Sequence, residues 1–216
     1  ALVEEIASEW KQRTGSDIYE GYGLSETASA LSCNSEQNRQ LGTVGKQMPW
    51  MEVKIVGKDG GALEAGEEGE LLVRGPQVMH GYWHRPEATD EALDAEGWFR
   101  TGDVAIMQED GFIRICDRVK DMILVSGFNV YPNEIEGVVY THPDIVECAA
   151  VGVADEKSGE AVKLYAVSSN PELTGEALRD YCREQLTAYK VPRFVEFCKE
   201  LPKSNVGKIL RRELRE

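Results

Sequence analysis

The stretch DRVKDMILVSGFNVYPNEIE, Asp117 to Glu136, decides the fold, because the chain changes character there. It opens with charges at Asp117, Arg118, Lys120 and Asp121, runs into a short apolar strand over Met122–Val125, and turns at Ser126-Gly127. Gly127 tolerates the positive φ of a tight turn, and Pro132 is preorganised for the first turn of a helix. Ile135, Val138 and Val139 then share one face of that helix, which ends before Pro143 because proline disfavours helical geometry at His142. A segment that is wet at one end and packed at the other reads as a hinge, with β-hairpins before it and a compact α+β unit after it.

Upstream, Leu2, Ile6 and Trp10 recur at helical spacing, and Thr14-Gly15 ends the helix with a residue suited to the left-handed cap. That helix starts without a cap or leader, so the chain is expected to be the later part of something longer. A strand over Ile18–Tyr22 leads into a loop, Gly21-Tyr22-Gly23-Leu24-Ser25-Glu26-Thr27. Its glycines, Gly23 among them, allow close backbone approach, Ser25 and Thr27 offer hydroxyl donors, Glu26 offers oxygen to Mg²⁺, and Tyr22 offers an aromatic face to a base. A strand-to-helix turn with Ser-Glu capping has the same composition, and both readings stand at this point.

From Gly42 to Cys116 short alternating segments are separated by glycine turns, which predicts antiparallel strands over Glu52–Val56, Glu70–Arg74, Val104–Met107 and Phe112–Cys116. Glu109-Asp110-Gly111 is a hairpin connection with glycine where positive φ is needed. Two aromatic segments, Gly81-Tyr82-Trp83 and Gly97-Trp98-Phe99-Arg100-Thr101-Gly102-Asp103, interrupt the alternation. The Asp103 carboxylate either caps a turn or accepts two ribose hydroxyls, as acids do in nucleotide sites.

Downstream, apolar strands are expected at Ile145–Val153 and Ala161–Ser168, a helix from about Thr174 marked by Leu178, Cys182 and Leu186, and a further strand at Phe194–Phe197. The closing segment Leu201–Lys208 is rich in turn formers and presents Lys203 and Lys208 ahead of a short helix over Ile209–Glu216. A lysine on such a loop is ordinarily a solvated charge.

With 216 residues, 42% of them hydrophobic and 29% charged, the chain has room for two domains. Its formal charge of −14 repels nucleic-acid phosphates and anionic headgroups. No apolar run is long enough to span a bilayer, and Ala1–Trp10 lacks the layout of a signal peptide, so a cytoplasmic protein is expected. Five cysteines without a CxxC and three histidines without ligand spacing predict core thiols and no histidine-held metal.

Taken in order, GYGLSE, GWFRTGD, DRVKDMILVSGFNVYPNEIE and PKSNVGKILRREL make the chain resemble the C-terminal portion of the adenylate-forming superfamily, which includes acyl-CoA synthetases, luciferases and peptide-synthetase adenylation domains. The likeness is strongest to bacterial long-chain fatty acid CoA ligases. It implies an α+β chain: residues 1–116 as the end of a large AMP-binding domain with a β-barrel-like antiparallel subdomain, 117–121 as hinge, and 122–216 as a small mobile C-terminal domain. It implies that Tyr22 stacks on adenine beside Gly23, Ser25 touches the α-phosphate and Glu26 holds Mg²⁺. Asp103 and Arg118 would bind ribose, Lys208 would bridge the acyl carboxylate and the α-phosphate, Lys120 would be the pivot, and the Gly127-Phe128 turn would line the path of the CoA thiol. Fatty acid, ATP and CoA are the implied ligands, with no nucleic acid and with transient contact at the inner membrane surface left open; oligomeric state is not legible.

The sequence departs from the superfamily at Ser25, where threonine is usual, and in the Phe99-Arg100 pair, where fatty-acid ligases often carry Leu-His. The superfamily's Ser/Thr/Gly-rich, lysine-containing phosphate loop occurs nowhere in the 216 residues, so this stretch by itself is expected not to activate an acid. Two rival readings are an adenylation domain serving a carrier protein and a non-catalytic nucleotide-binding or interaction module. No Asp-Ser dipeptide for a pantetheine arm occurs, and Glu26, Asp103, Arg118 and Lys208 together exceed what simple binding requires.

Overall fold

A computed structural model describes residues 4–205 and 207–215, so Leu2, Val206 and Glu216, named in the expectations above, lie outside the described residues. The chain divides into two compact units between Val119 and Lys120.

The first unit opens with α1 (Glu4–Thr14), closed by Gly15 at φ +74°, whose N–H reaches the Lys11 carbonyl at 2.8 Å. Its apolar spacing does not mark a buried stripe: Ala7 is buried, whereas Ile6 and Trp10 are exposed. Three antiparallel strands follow, β1 (Gly21–Leu24), β2 (Ser29–Cys33) and β3 (Lys46–Gln47). The strand expected at Ile18–Tyr22 therefore starts at Gly21, and much of the expected loop is itself strand. Alternate backbone hydrogen bonds to β2 hold the two glycines extended.

A second sheet is a meander of β4 (Glu52–Val56), β5 (Glu68–Arg74), β6 (Phe99–Met107) and β7 (Ile113–Arg118), antiparallel throughout. Between β5 and β6 lies α2 (Pro86–Ala92), with proline in its first turn. The β4–β7 sheet and the β1–β3 sheet share one core, built on Leu31, Ile55, Leu71, Val73, Phe99 and Ile113. They are stitched where Val44 donates to the Ile113 carbonyl at 2.8 Å and Ile113 donates to the Gly45 carbonyl at 2.9 Å. Those two bonds cover the edge of β7 without extending a ladder, so among the described residues the expected barrel does not close and two open sheets remain.

The second unit begins at Lys120, within the short 3₁₀ turn Val119–Asp121, and continues through β8 (Ile123–Val125), β9 (Phe128–Val130), α3 (Pro132–Tyr140), β10 (Ile145–Asp155), β11 (Gly159–Ser168), α4 (Gly175–Arg183) and β12 (Phe194–Phe197). β10, β11, β8 and β9 are neighbours in that order, and β12 adds to β11 in parallel. Because side chains alternate along a strand, Cys148 and Ala150 face the helices while Ala149 and Val151 face away. Ile135 and Val139 of α3 and Leu178 and Cys182 of α4 fill the helix side, and Leu201, Tyr165 and Leu214 fill the other. Thr174 caps α4, its hydroxyl accepting from Ala177 N–H at 3.2 Å. The expected terminal helix is only a 3₁₀ turn, Arg211–Leu214. Of the cysteines, Cys148 and Cys182 are buried thiols, whereas Cys33, Cys116 and Cys198 are half-buried. Among the described residues no helix is long and apolar enough to cross a membrane.

Ile135 has no exposed surface and sits where α3 meets the sheet, so Ile135→Ala leaves a cavity that the rigid β10–β11 ladder cannot collapse. A loss of ~3 kcal/mol is expected in urea unfolding followed by circular dichroism. Val146→Ala, at a β10 position whose side chain is exposed, is expected to cost less than ~0.5 kcal/mol in the same measurement.

Candidate functional site

In the first unit the residues singled out in sequence meet at one end of the two sheets. Asp103 stands on β6 directly opposite Arg118 on β7, and the pairing register brings their side chains together, Arg118 Nε lying 2.8 Å from Asp103 Oδ1. The Tyr22 hydroxyl, carried across from β1, donates to Asp103 Oδ2. The carboxylate is 3% exposed. A buried carboxylate has to be met by donors, and here one is a cation and one a phenol.

Burial first, and then the neighbouring Asp103 charge, push the Tyr22 phenol far above its ordinary range, so it stays protonated and donates. Gly102, at φ +69°, lets β6 bulge between Leu72 and Glu70 of β5, and the Asp103 N–H closes onto the Thr101 hydroxyl at 3.1 Å. Phe99 enters the core, while its neighbour Trp98 lies on the outer face against Val56 and Leu72 with Lys54 over its ring. GWFRTGD is thus a strand that anchors itself on both faces before presenting its acid.

The hairpin connecting β1 to β2 is a 3₁₀ turn, Ser25–Thr27, not a helix N-terminus. Its exit is strained, since Ala28 and Ser29 both have positive φ, 50° and 99°. Each such residue costs ~1–3 kcal/mol and persists only where its surroundings over-determine it. Here the Thr27 hydroxyl donates to the carbonyls of Leu24 and Ser29 at 3.1 and 3.0 Å, and Gln77 Nε2 donates to those of Thr27 and Ala30 at 2.9 and 2.8 Å. Gly23 has a steric role: a Cβ there would lie 1.8 Å from the Ser29 carbonyl oxygen. The strands cross so closely at this bulge that only glycine fits. Beside it, Gly21, Tyr22, Gly23, Leu24, Ser25, Ser29 and Ala30 line an open cavity of about 430 Å³.

Glu26 projects from this turn with one oxygen, Oε1, accepting from the Tyr82 hydroxyl at 2.9 Å. Partial burial and then the bond to Glu26 raise the Tyr82 phenol above its usual value, so tyrosine remains the donor. The other carboxylate oxygen is a hard donor suited to Mg²⁺, an ion commonly held by one or two carboxylates and completed by substrate phosphates. Among the described residues no group of three or more His, Cys, Asp or Glu could hold a metal. Gln77 and Tyr82 complete the site without having been assigned to it in sequence, and Thr27, read there as a donor to a ligand, spends its hydroxyl on the carbonyls of its own turn. Tyr82 was visible only as an unexplained aromatic, and Gln77 carries no local signal at all.

The second unit holds Lys120, Gly127 and Lys208, each on its own segment. Ser126 and Gly127, at φ +50° and +86°, form the turn between β8 and β9, and Phe128 beyond it stacks on Tyr189 with centroids 4.6 Å apart. Lys208 closes a tight turn with Ser204, whose N–H donates to the Lys208 carbonyl at 2.8 Å and whose hydroxyl accepts from the Lys208 N–H at 3.1 Å. The Lys208 side chain is exposed.

Gly23→Ala is expected to lower stability by ~3 kcal/mol or more, because backbone atoms of Ser29 and Ala30 would have to move. Gly127→Ala meets nothing within 4 Å and pays only its backbone strain, ~1 kcal/mol. Thermal melts of the two variants check both values.

The chain matches the AMP-binding enzyme family over residues 1–83 and the AMP-binding enzyme C-terminal domain over residues 134–208. It is 57% identical, over all of its 216 residues, to the long-chain-fatty-acid–CoA ligase of Escherichia coli O157:H7, of which it spans 38%. It superposes with a TM-score of 0.92 and 32% identity on ATP-bound MatB from Rhodopseudomonas palustris, covering 99% of this chain and 43% of that one. A second solved structure, the o-succinylbenzoate CoA synthetase MenE of Bacillus subtilis in complex with ATP and magnesium ion, is 35% identical, with a TM-score of 0.86 and coverage of 95% and 43%.

Proposed function

Since this chain belongs to the AMP-binding enzyme family, we propose that it is the C-terminal part of an ATP-dependent long-chain fatty acid CoA ligase. The reaction has two halves: a fatty acid carboxylate attacks the α-phosphorus of ATP and releases pyrophosphate, and the CoA thiol then attacks the acyl adenylate and releases AMP. The observation that carries the reading is the buried Asp103 carboxylate held between Tyr22 and Arg118, with Glu26 on the adjoining turn. The long-chain preference rests on the relatives at 57% identity, which are named for it. The chain spans 38% of their length, and the activity belongs to the whole protein.

In this reading Asp103 and Arg118 accept and donate hydrogen bonds to the ribose hydroxyls. Tyr22, fixed through its hydroxyl, turns its ring face toward the adenine, and Ser25 donates to the α-phosphate. Glu26 keeps Oε2 for the metal, and Mg²⁺ when bound there neutralises phosphate charge. Lys208 provides the cation for the charge that builds on the α-phosphate as the carboxylate attacks, a place where a fixed charge stabilises the transition state more than the ground state. It has no part in the thiol step. Residues 117–121 act as the hinge and Lys120 as its pivot, about which the second unit turns to withdraw Lys208 and bring Gly127 and Phe128 toward the thiol. The protein is read as cytoplasmic, with transient contact at the inner membrane surface left open.

In the intact ligase, Lys208→Ala is expected to slow acyl-adenylate formation ~100-fold, about 3 kcal/mol of transition-state stabilisation, with the KM for ATP little changed. Thioester formation from preformed acyl adenylate should stay within about twofold. Rapid-quench assays of each half-reaction check this. Adenylation unchanged by the substitution would keep the enzyme and remove Lys208 from its mechanism.

A further inference from the structure

Beyond Lys208 the chain is strapped down. Leu214 is buried against Ala149, Val151, Tyr165 and Leu201, on the sheet face opposite the helices. Two arginines fasten this segment. Arg211 forks onto Glu136 of α3, its Nη2 donating to Oε2 at 2.7 Å and Oε1 at 2.9 Å and its Nε to Oε1 at 3.2 Å, while Nη2 also reaches Asn133 Oδ1 at 3.2 Å. Glu136 is fixed in turn by the Ala150 N–H on β10, at 2.8 Å. Arg215 donates through Nη2 to Asp121 Oδ1 at 2.8 Å and through Nη1 to the Lys120 carbonyl at 3.3 Å. Arg211 Nη1 lies 3.9 Å from Asp121 Oδ2. Arg215, Asp121, Arg211 and Glu136 thus form a chain of alternating charge from the hinge side to α3.

Exposed ion pairs contribute little, but Asp121 and Glu136 are 9% and 8% exposed. A buried carboxylate that loses its cation is left uncompensated, so these contacts hold their geometry, and the fork fixes orientation as well as distance. On its other side the Lys208 turn is stapled by Lys203 to Glu147 and by the bridge between Lys203 and Ile209. Lys208 is therefore an exposed side chain on a turn anchored at both ends, and one anchor is the backbone of Lys120 itself.

We propose that Arg211 and Arg215 are positioning residues, which bind the Lys208 turn and the Lys120 pivot into one rigid piece, so that a rotation at the pivot sets the place of the lysine. The catalytic consequence rests on the ligase reading above; the mechanical one does not. A reacting cation displaced by about 1 Å loses up to ~100-fold in rate, whereas the thiol step does not use Lys208. Loosening the strap should therefore slow one half-reaction and spare the other.

The test uses the intact protein carrying Arg215→Leu, with Arg215→Lys as the conservative variant and Asp121→Asn as the partner variant. Amide hydrogen exchange, read by mass spectrometry, should quicken about tenfold in peptides spanning 207–215 of Arg215→Leu and stay unchanged in peptides of β10 and β11. Acyl-adenylate formation should fall ~10- to 100-fold while thioester formation from preformed adenylate stays within about twofold, and Arg215→Lys should recover most of the loss. Unchanged exchange over 207–215 overturns the strap. So does an equal loss in both half-reactions with faster exchange throughout, the signature of general destabilisation. A wild-type protein that forms no adenylate defeats the ligase reading, while the exchange data still judge the strap. If Arg215→Leu does not fold, Asp121→Asn, which keeps the shape and removes the charge, carries the same two readouts.

Discussion

The first unit depends on one buried carboxylate. Asp103 lies almost wholly out of water, and an ionised acid there is tolerable only while donors meet it. Arg118 comes from the facing position on β7 and Tyr22 from the neighbouring sheet, so meeting this one acid fixes the register of β6 on β7 and the approach of β1 to both. The bulge at Gly102, the double anchoring of Trp98 and Phe99, and the glycine-only crossing at Gly23 are the local devices that bring the three side chains together. The acid is costly to bury, and its partner Tyr22 also lines the open cavity beside the β1–β2 turn.

The strained exit of the β1–β2 turn belongs to the same arrangement. Two consecutive non-glycine residues with positive φ cost several times what an ordinary turn does, and Thr27 and Gln77 hold them in place by bonds to four carbonyl positions around the turn. The result is a turn that holds Glu26 outward, with Tyr82 on one oxygen. In the second unit the logic is mechanical. The core between the helices and the sheet makes a stiff platform, and the buried acids Asp121 and Glu136 tie the last segment of the chain to it.

Much of this was legible because periodicity and punctuation agree. β4, β12 and the helix from Pro132 stand where alternation, proline and glycine put them, and Asp103, Arg118 and Tyr22 come from three motifs that the structure brings together. The misses have physical causes. Glycines in Gly21–Leu24 read as loop, yet the ladder to β2 overrides their weak intrinsic preference for strand. Ile6 and Trp10 recur at helical spacing and the helix forms, but spacing says which residues share a face, not what covers it, and both are exposed. α2 escaped although Pro86 and Glu87 are good first-turn residues, because it carries no apolar stripe and buries none of its residues. Gln77 and the Arg215–Asp121 pair depend on contacts distant in sequence, which no local pattern encodes.

The role proposed for these two units is in a ligase that activates fatty acids. The most direct measurement is pyrophosphate release by the intact protein given ATP, Mg²⁺ and straight-chain acids of graded length. The account predicts release that depends on the acid and is greatest with the long ones. Release with none of them, by a protein that still binds ATP, would contradict it.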